Sequence, residues 1–165
     1  MSQGQSVKSF GLTVTTYVSQ NLGAKSYGRI KEGASKTMRL SLLTTIAISI
    51  MVFFLAYQVS SLFSNQEDVI KYSVDMMHVF IPFIFFMAIR EVLLGILRGY
   101  GYARMPMVLS LIGMVVGRQI YLMITMGIRQ DIIFIYTCYP LAWAFTATLL
   151  VIYYLKKKKN MRGLE

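Results

Sequence analysis

Residues 72–97 read YSVDMMHVFIPFIFFMAIREVLLGIL, and after Asp75 the only ionisable side chains are His78, Arg90 and Glu91. An α-helix rises about 1.5 Å per residue, so roughly 20 apolar residues cross the hydrocarbon core of a bilayer. This run has the required length. Three others match it at 40–63, 105–127 and 132–155. The linkers between 40 and 155 hold only about 4–8 residues, which leaves no room for a soluble domain among them. The chain therefore reads as an all-α membrane protein, a polytopic helical bundle.

Composition points the same way. The chain is 56% hydrophobic, with a mean hydropathy of +0.56, above the range of soluble domains. A net charge of +10 in a soluble chain would suggest nucleic acid as a partner. Here the basic residues gather in alternate loops, so the expected partner is the lipid bilayer and no nucleic acid. Lys25, Arg29, Lys31, Lys36 and Arg39 face a single Glu32, whereas Lys71 stands against Glu67, Asp68 and Asp75. Arg98 and Arg104 follow, then Arg129 beside Asp131, and the chain closes on Lys156–Lys159 and Arg162. Under the positive-inside rule the Arg39, Arg98–Arg104 and C-terminal sides are cytoplasmic, with 156–165 a basic cytoplasmic tail. The loops 64–71 and 128–131 are then external. The expected location is the plasma membrane, crossed several times. The single cysteine, Cys138, lies inside a predicted span and cannot form an internal disulfide.

Residues 1–39 differ in kind. They show no charged n-region followed by an apolar h-region, which argues against a cleaved signal peptide. A helix over about 8–24 would carry Ser9, Thr13, Thr16 and Gln20 on one continuous polar stripe. Such a stripe suits a surface or small-residue packing face, or a span that lines a wet cavity. With this segment the bundle has about five transmembrane helices, near 8–24, 40–63, 72–98, 105–127 and 132–155. Pro106 sits just inside the fourth. Pro82 and Pro140 fall within spans, where kinks are tolerated. Gly113 and Gly117 form a small-xxx-small pair that predicts a close helix contact.

Arg90, Glu91 and Arg118 are the anomalous residues. Each costs about 2.5–3.5 kcal/mol near the bilayer centre and so needs a partner or water. Side chains lean toward their own helix N-terminus, and the two helices run oppositely, so Glu91 and Arg118 should converge into an ion pair. The pair is either a fixed stitch between helices or an ionisable site whose occupancy drives a conformational change. His78, near the external end of its helix, reads as an interface residue. Tyr121, Tyr136, Tyr139 and Trp143 could line an aromatic pocket or mark the membrane interface. No nucleophile–base constellation, metal-ligand cluster or phosphate loop appears, so an enzyme is not expected, no cofactor is implied, and the metal ligands, if any, are unknown.

The stretches SFGLTVTTYVSQNLGAKSYGRIKEG (9–33) and GILRGYGYARMP (95–106) resemble the multidrug and toxic compound extrusion (MATE) family. In the first, Gln20, Asn21, Gly23 and Ala24 end the span and Arg29 lies in the following loop. The second resembles the family's LRG-Y-G turn, and SLIGMVVGRQIYL (110–122) continues the likeness. The resemblance implies helices eight to twelve of a twelve-helix fold, most of one six-helix lobe. It also implies an antiporter exporting drugs or organic cations in exchange for Na⁺ or H⁺. On that reading Thr13, Thr16, Gln20, Glu91 and Arg118 border the substrate or cation cavity, and an N-terminal lobe or a second subunit completes it. The first-helix Asp that the family uses for cation coupling has no counterpart in this stretch. Na⁺-coupled members carry an Asp on the tenth helix; counting back from Gly95 places Met87 there, with Arg90 and Glu91 nearby. The alternatives are a flippase for a lipid-linked saccharide of the same superfamily and a truncated, non-transporting membrane fragment.

Overall fold

The computed structural model describes residues 3–128 and 132–162, and every element among them is helical. α1 spans Gln3–Gly23, α2 Tyr27–Phe54 and the short α3 Ala56–Ser61. α4 (Glu67–Phe80) continues through one 3₁₀ turn, Ile81–Phe83, into α5 (Ile84–Gly99). α6 (Arg104–Leu111) continues through a π-helical turn, Ile112–Gly117, into α7 (Arg118–Ile128), and α8 spans Ile132–Arg162. Among the described residues, four stretches are long and apolar enough to cross a membrane: Tyr27–Phe54, Glu67–Gly99, Arg104–Thr125 and Phe134–Lys158. α1, with 21 residues and a polar face, is the fifth long helix.

The helix boundaries depart from the sequence reading in instructive ways. The expected basic loop before residue 40 is the first three turns of α2 instead. No proline interrupts it, Lys31, Lys36 and Arg39 are good helix formers, and Lys36 Nζ meets Glu32 Oε1 at 2.6 Å across one turn. The run 40–63 is broken at Leu55, where α2 gives way to α3. The third span begins at Glu67 rather than 72, since Glu67 and Asp68 suit the positive end of a helix dipole. The last helix extends past Leu155 to Arg162, so the basic segment 156–162 is helical and not a separate tail. Residues 129–131, expected to be external, and the terminal 163–165 lie outside the described residues.

α5 sits at the centre. Residues 91–97 are all buried, as expected of a helix that is apolar on nearly every side. It packs against α1, α2 and α8. Val14, Val18, Ile30, Val92 and Ile96 form one core cluster with Phe10, Leu22 and Met38 around it. Leu93, Leu94, Leu97 and Leu150 form a second, joining α5 to α8. Leu43, Ile50, Phe54, Met107 and Met123 point outward, the pattern of a surface solvated by lipid rather than water.

Both tight turns close in the same way. After α1, Ser26 N–H donates to Asn21 O at 2.9 Å and Lys25 N–H to Leu22 O at 3.0 Å. After α5, Tyr102 N–H donates to Leu97 O and Gly101 N–H to Arg98 O, both at 2.9 Å. These are Schellman turns, each with a left-handed residue past the helix end: Lys25 (φ 55) and Gly101 (φ 84).

Candidate functional site

Glycines bring α1 and α5 nearly backbone to backbone. A Cβ on Gly11 would stand 2.9 Å from Glu91 O, and one on Gly99 would stand 2.6 Å from the Val18 Cβ. Gly95 faces Gly11 and Val14 just as closely. Thr15 Oγ1 donates to Gly11 O at 2.8 Å and reaches Gly95 O at 3.1 Å, tying the two helices together. The contacts advance together along both helices, so the two run parallel. The G-x-x-x-G spacing of Gly95 and Gly99 carries this signal in the sequence, just as the spacing of Gly113 and Gly117 does. Gly113 and Gly117 do meet α8, at Thr146 and Phe145 respectively.

Beside this seam, α1, α5 and α6 enclose a groove of about 650 Å³. Its polar lining is Lys8 from α1, Arg90, Glu91 and Arg98 from α5, and Ser110 from α6. Arg90 Nη2 donates to Glu91 Oε1, and the two side chains are only 12% and 9% exposed. This is a buried ion pair between chain neighbours. Adjacent helical residues do not normally face each other; the length of the arginine lets its guanidinium curl over the carboxylate. Among the described residues, the buried atoms Arg90 Nε and Ser110 Oγ have no hydrogen-bond partner. Lys8 and Arg98 escape the sequence reading, because Arg98 reads as a loop residue and nothing local links residue 8 to residue 90.

The expected Glu91–Arg118 pair does not form. Arg118 lies over the Tyr139 ring, 5.2 Å from its centroid, and its buried Nε has no hydrogen-bond partner among the described residues. Tyr139 packs on Phe80 (5.3 Å), which packs on Trp143 (5.6 Å), so two of the four expected aromatic residues are linked through Phe80, with the cation over the first. Tyr121 Oη and Thr137 Oγ1 share a hydrogen bond of 2.9 Å between α7 and α8. The physical reason for the correction is the π turn. Projecting Arg118 from Met105 assumes an unbroken 3.6-residue period; the wider turn at Ile112–Gly117 rotates everything beyond it and aims Arg118 at α8.

Ser9, Thr13, Thr16 and Gln20 stay together on one exposed face of α1. Ser9 Oγ donates to Gln5 O at 3.1 Å, Thr13 Oγ1 to Ser9 O at 2.9 Å and Thr16 Oγ1 to Leu12 O at 3.4 Å, so the three hydroxyls of the stripe bond along their own helix. It flanks the groove and does not line it with Glu91. His78 stacks on Phe53, with ring centroids 4.4 Å apart. Among the described residues no group of three or more His, Cys, Asp or Glu could hold a metal ion.

The profile of the MatE family matches residues 6–122, which include the groove, the Arg90–Glu91 pair and Arg118. The chain belongs to the MatE family. Its fold matches that in the crystal structure of the eukaryotic MATE transporter AtDTX14, with a TM-score of 0.81 at 21% identity. The superposition covers 98% of this chain and 37% of that one, so the MatE chain described here spans well under half the length of the transporter it resembles. Comparison with curated proteins gives no match.

Proposed function

We propose that this chain is the C-terminal part of a MATE-type antiporter that exports drugs or organic cations in exchange for Na⁺ or H⁺. A second part, an N-terminal lobe or another subunit, would complete the path. The observation that carries the reading is the Arg90–Glu91 pair, buried on the central helix yet bordering a groove open to solvent or lipid. An ionisable residue kept inside a membrane bundle costs several kcal/mol and is a functional candidate for that reason. Neutralising Glu91, by a proton or by an exchanged cation, releases Arg90 from its partner. The guanidinium then has to find another acceptor or move toward water, and α5 is the helix that α1, α2 and α8 all touch. A local charge change there can shift the whole bundle. On this reading the protein sits in the plasma membrane with the C-terminal end of α8 in the cytoplasm.

The test is dye efflux from cells expressing the natural full-length protein. Replacing both members, Arg90→Gln with Glu91→Gln, removes the charges together and leaves a pair of neutral hydrogen-bonding side chains. The double variant should reach the membrane in normal amount and lose about tenfold or more of its ion-gradient-driven efflux. Full efflux with unchanged dependence on the gradient would sink the coupling role of Glu91.

A further inference from the structure

The groove carries three cations, Lys8, Arg90 and Arg98, against the one carboxylate of Glu91, and that carboxylate is already engaged by Arg90. Two of its buried polar atoms, Arg90 Nε and Ser110 Oγ, have no hydrogen-bond partner among the described residues. Buried polar groups are hydrogen-bonded in the great majority of cases, and one left alone costs free energy. Both atoms belong to residues that line the same groove, one on α5 and one on α6; Arg90 Nε can only donate, and the Ser110 hydroxyl can donate or accept. With three cations against one engaged carboxylate, the acceptor that suits this lining best carries negative charge. The rest of the lining is largely apolar, including Leu12, Leu94, Met107, Leu111 and Met114. A small hydrophilic anion would leave that surface bare, whereas an organic cation would meet net repulsion.

We infer that the groove between α1, α5 and α6 binds an amphiphilic anion, its phosphate-like head held by Arg90 Nε, Ser110 Oγ, Lys8 and Arg98 and its hydrocarbon laid along Leu12, Met107 and Leu111. The head group takes charge-assisted hydrogen bonds in a low-dielectric setting, where they are strongest. The chain lies along exposed apolar side chains; Leu12 is 63% and Leu111 51% exposed. An acidic phospholipid from the bilayer or a single-chain phosphate ester presents the same chemistry. The inference goes beyond the antiporter reading and does not depend on it, because it rests on the groove's excess of positive charge and its unpartnered buried groups rather than on ion coupling at Glu91.

Native mass spectrometry of the purified natural full-length protein in a neutral detergent tests it. Phosphatidylglycerol and dodecyl phosphate should each bind about tenfold more tightly than phosphatidylcholine and dodecyltrimethylammonium. Preference for both anions assigns the site to phosphate amphiphiles at large; preference for phosphatidylglycerol alone assigns it to a membrane lipid. Lys8→Gln with Arg98→Gln should erase the preference, and Ser110→Ala should weaken it, while Lys36→Gln, on the exposed surface of α2, should leave it intact. Leu111→Trp fills the groove without touching a charge and should also abolish anion binding, which keeps the test decisive if the charge variants do not fold. Equal binding of the four probes, or an anion preference untouched by Lys8→Gln/Arg98→Gln and by Leu111→Trp, overturns the assignment. Efflux activity is a separate readout, so anion binding as expected, with efflux that the Arg90→Gln/Glu91→Gln change leaves fully gradient-dependent, would count against the antiporter reading alone.

Discussion

Arg90 and Glu91 illustrate how little freedom a buried charge has. Desolvating either ion alone costs several kcal/mol, and the mutual attraction offsets this only while both are present and in contact. Glu91→Gln leaves a guanidinium stranded in the groove, and Arg90→Gln leaves a carboxylate. Each single change should therefore lower stability by about 3–5 kcal/mol, and the paired neutral replacement should recover most of the loss. Thermal unfolding of the four proteins in detergent measures the cycle; strictly additive losses would mean the contact contributes nothing. The sequence marks Arg90, Glu91 and Arg118 correctly as residues in need of partners, because a charge inside an apolar run is conspicuous without any structure. Which partner each finds is not legible there. Pairing depends on rotamer reach over a few ångströms and on helix rotation, and the π turn changes the rotation at Arg118. The polar stripe is legible as a stripe, since helical spacing alone aligns Ser9, Thr13, Thr16 and Gln20. The groove beside it is not, because Ser110 lies far along the chain from Lys8 and Leu12 and no period or motif links them.

At the scale of elements, the glycines and turns decide how closely the helices meet. Gly113 belongs to the π turn, and a Cβ there would overlap the Thr146 hydroxyl, which donates to Ala142 O at 2.7 Å in a fully buried position. Gly113→Ala should cost about 1–3 kcal/mol by overpacking, and Thr146→Ser should relieve little of it because the oxygen stays. Thr146→Ala in the same protein removes that oxygen and should recover part of the loss. Equal stability of Gly113→Ala and the unsubstituted protein would show that α8 can yield there. The turn after α1 offers the opposite case. Lys25 holds φ 55 at the position where the α5 turn uses Gly101. A left-handed conformation costs a side-chain-bearing residue about 1 kcal/mol, so Lys25→Gly should stabilise the protein by up to roughly that amount. A drop in unfolding temperature would mean the lysine side chain holds the turn by other contacts. Helix number and type are open to view in the apolar runs. The start of α2 is not, because a basic segment that reads as a loop on charge also reads as helix on propensity, and packing settles it: Gly33 receives the Tyr17 ring of α1, whose hydroxyl donates to Arg29 O at 3.2 Å.

Across the whole molecule the charges separate to opposite ends of the bundle. Lys31 and Arg39 at the start of α2 line one depression together with Tyr100 at the end of α5 and Lys158 near the end of α8. Lys157 sits over the Tyr102 ring, 5.2 Å from its centroid, at that same end. At the other end, Glu67, Asp68 and Asp75 surround Lys71 beside Tyr57. Segments far apart in sequence thus supply one basic rim and one acidic rim, which is what successive crossings require if orientation follows the lysine and arginine bias. The basic rim should face the cytoplasm. Its residues on α2 lie within the first three to four turns of a helix about 42 Å long, enough to cross the hydrocarbon core with one end protruding among the head groups. Single cysteines at Ser26 and Ser64, in a Cys138→Ala background, test the orientation with a membrane-impermeant thiol reagent on intact cells. Position 64, beyond α3 at the acidic end, should label from outside, and position 26, in the turn before α2, should label only after the membrane is opened. The reverse pattern would turn the molecule over and put the groove's Arg98 end on the outer face.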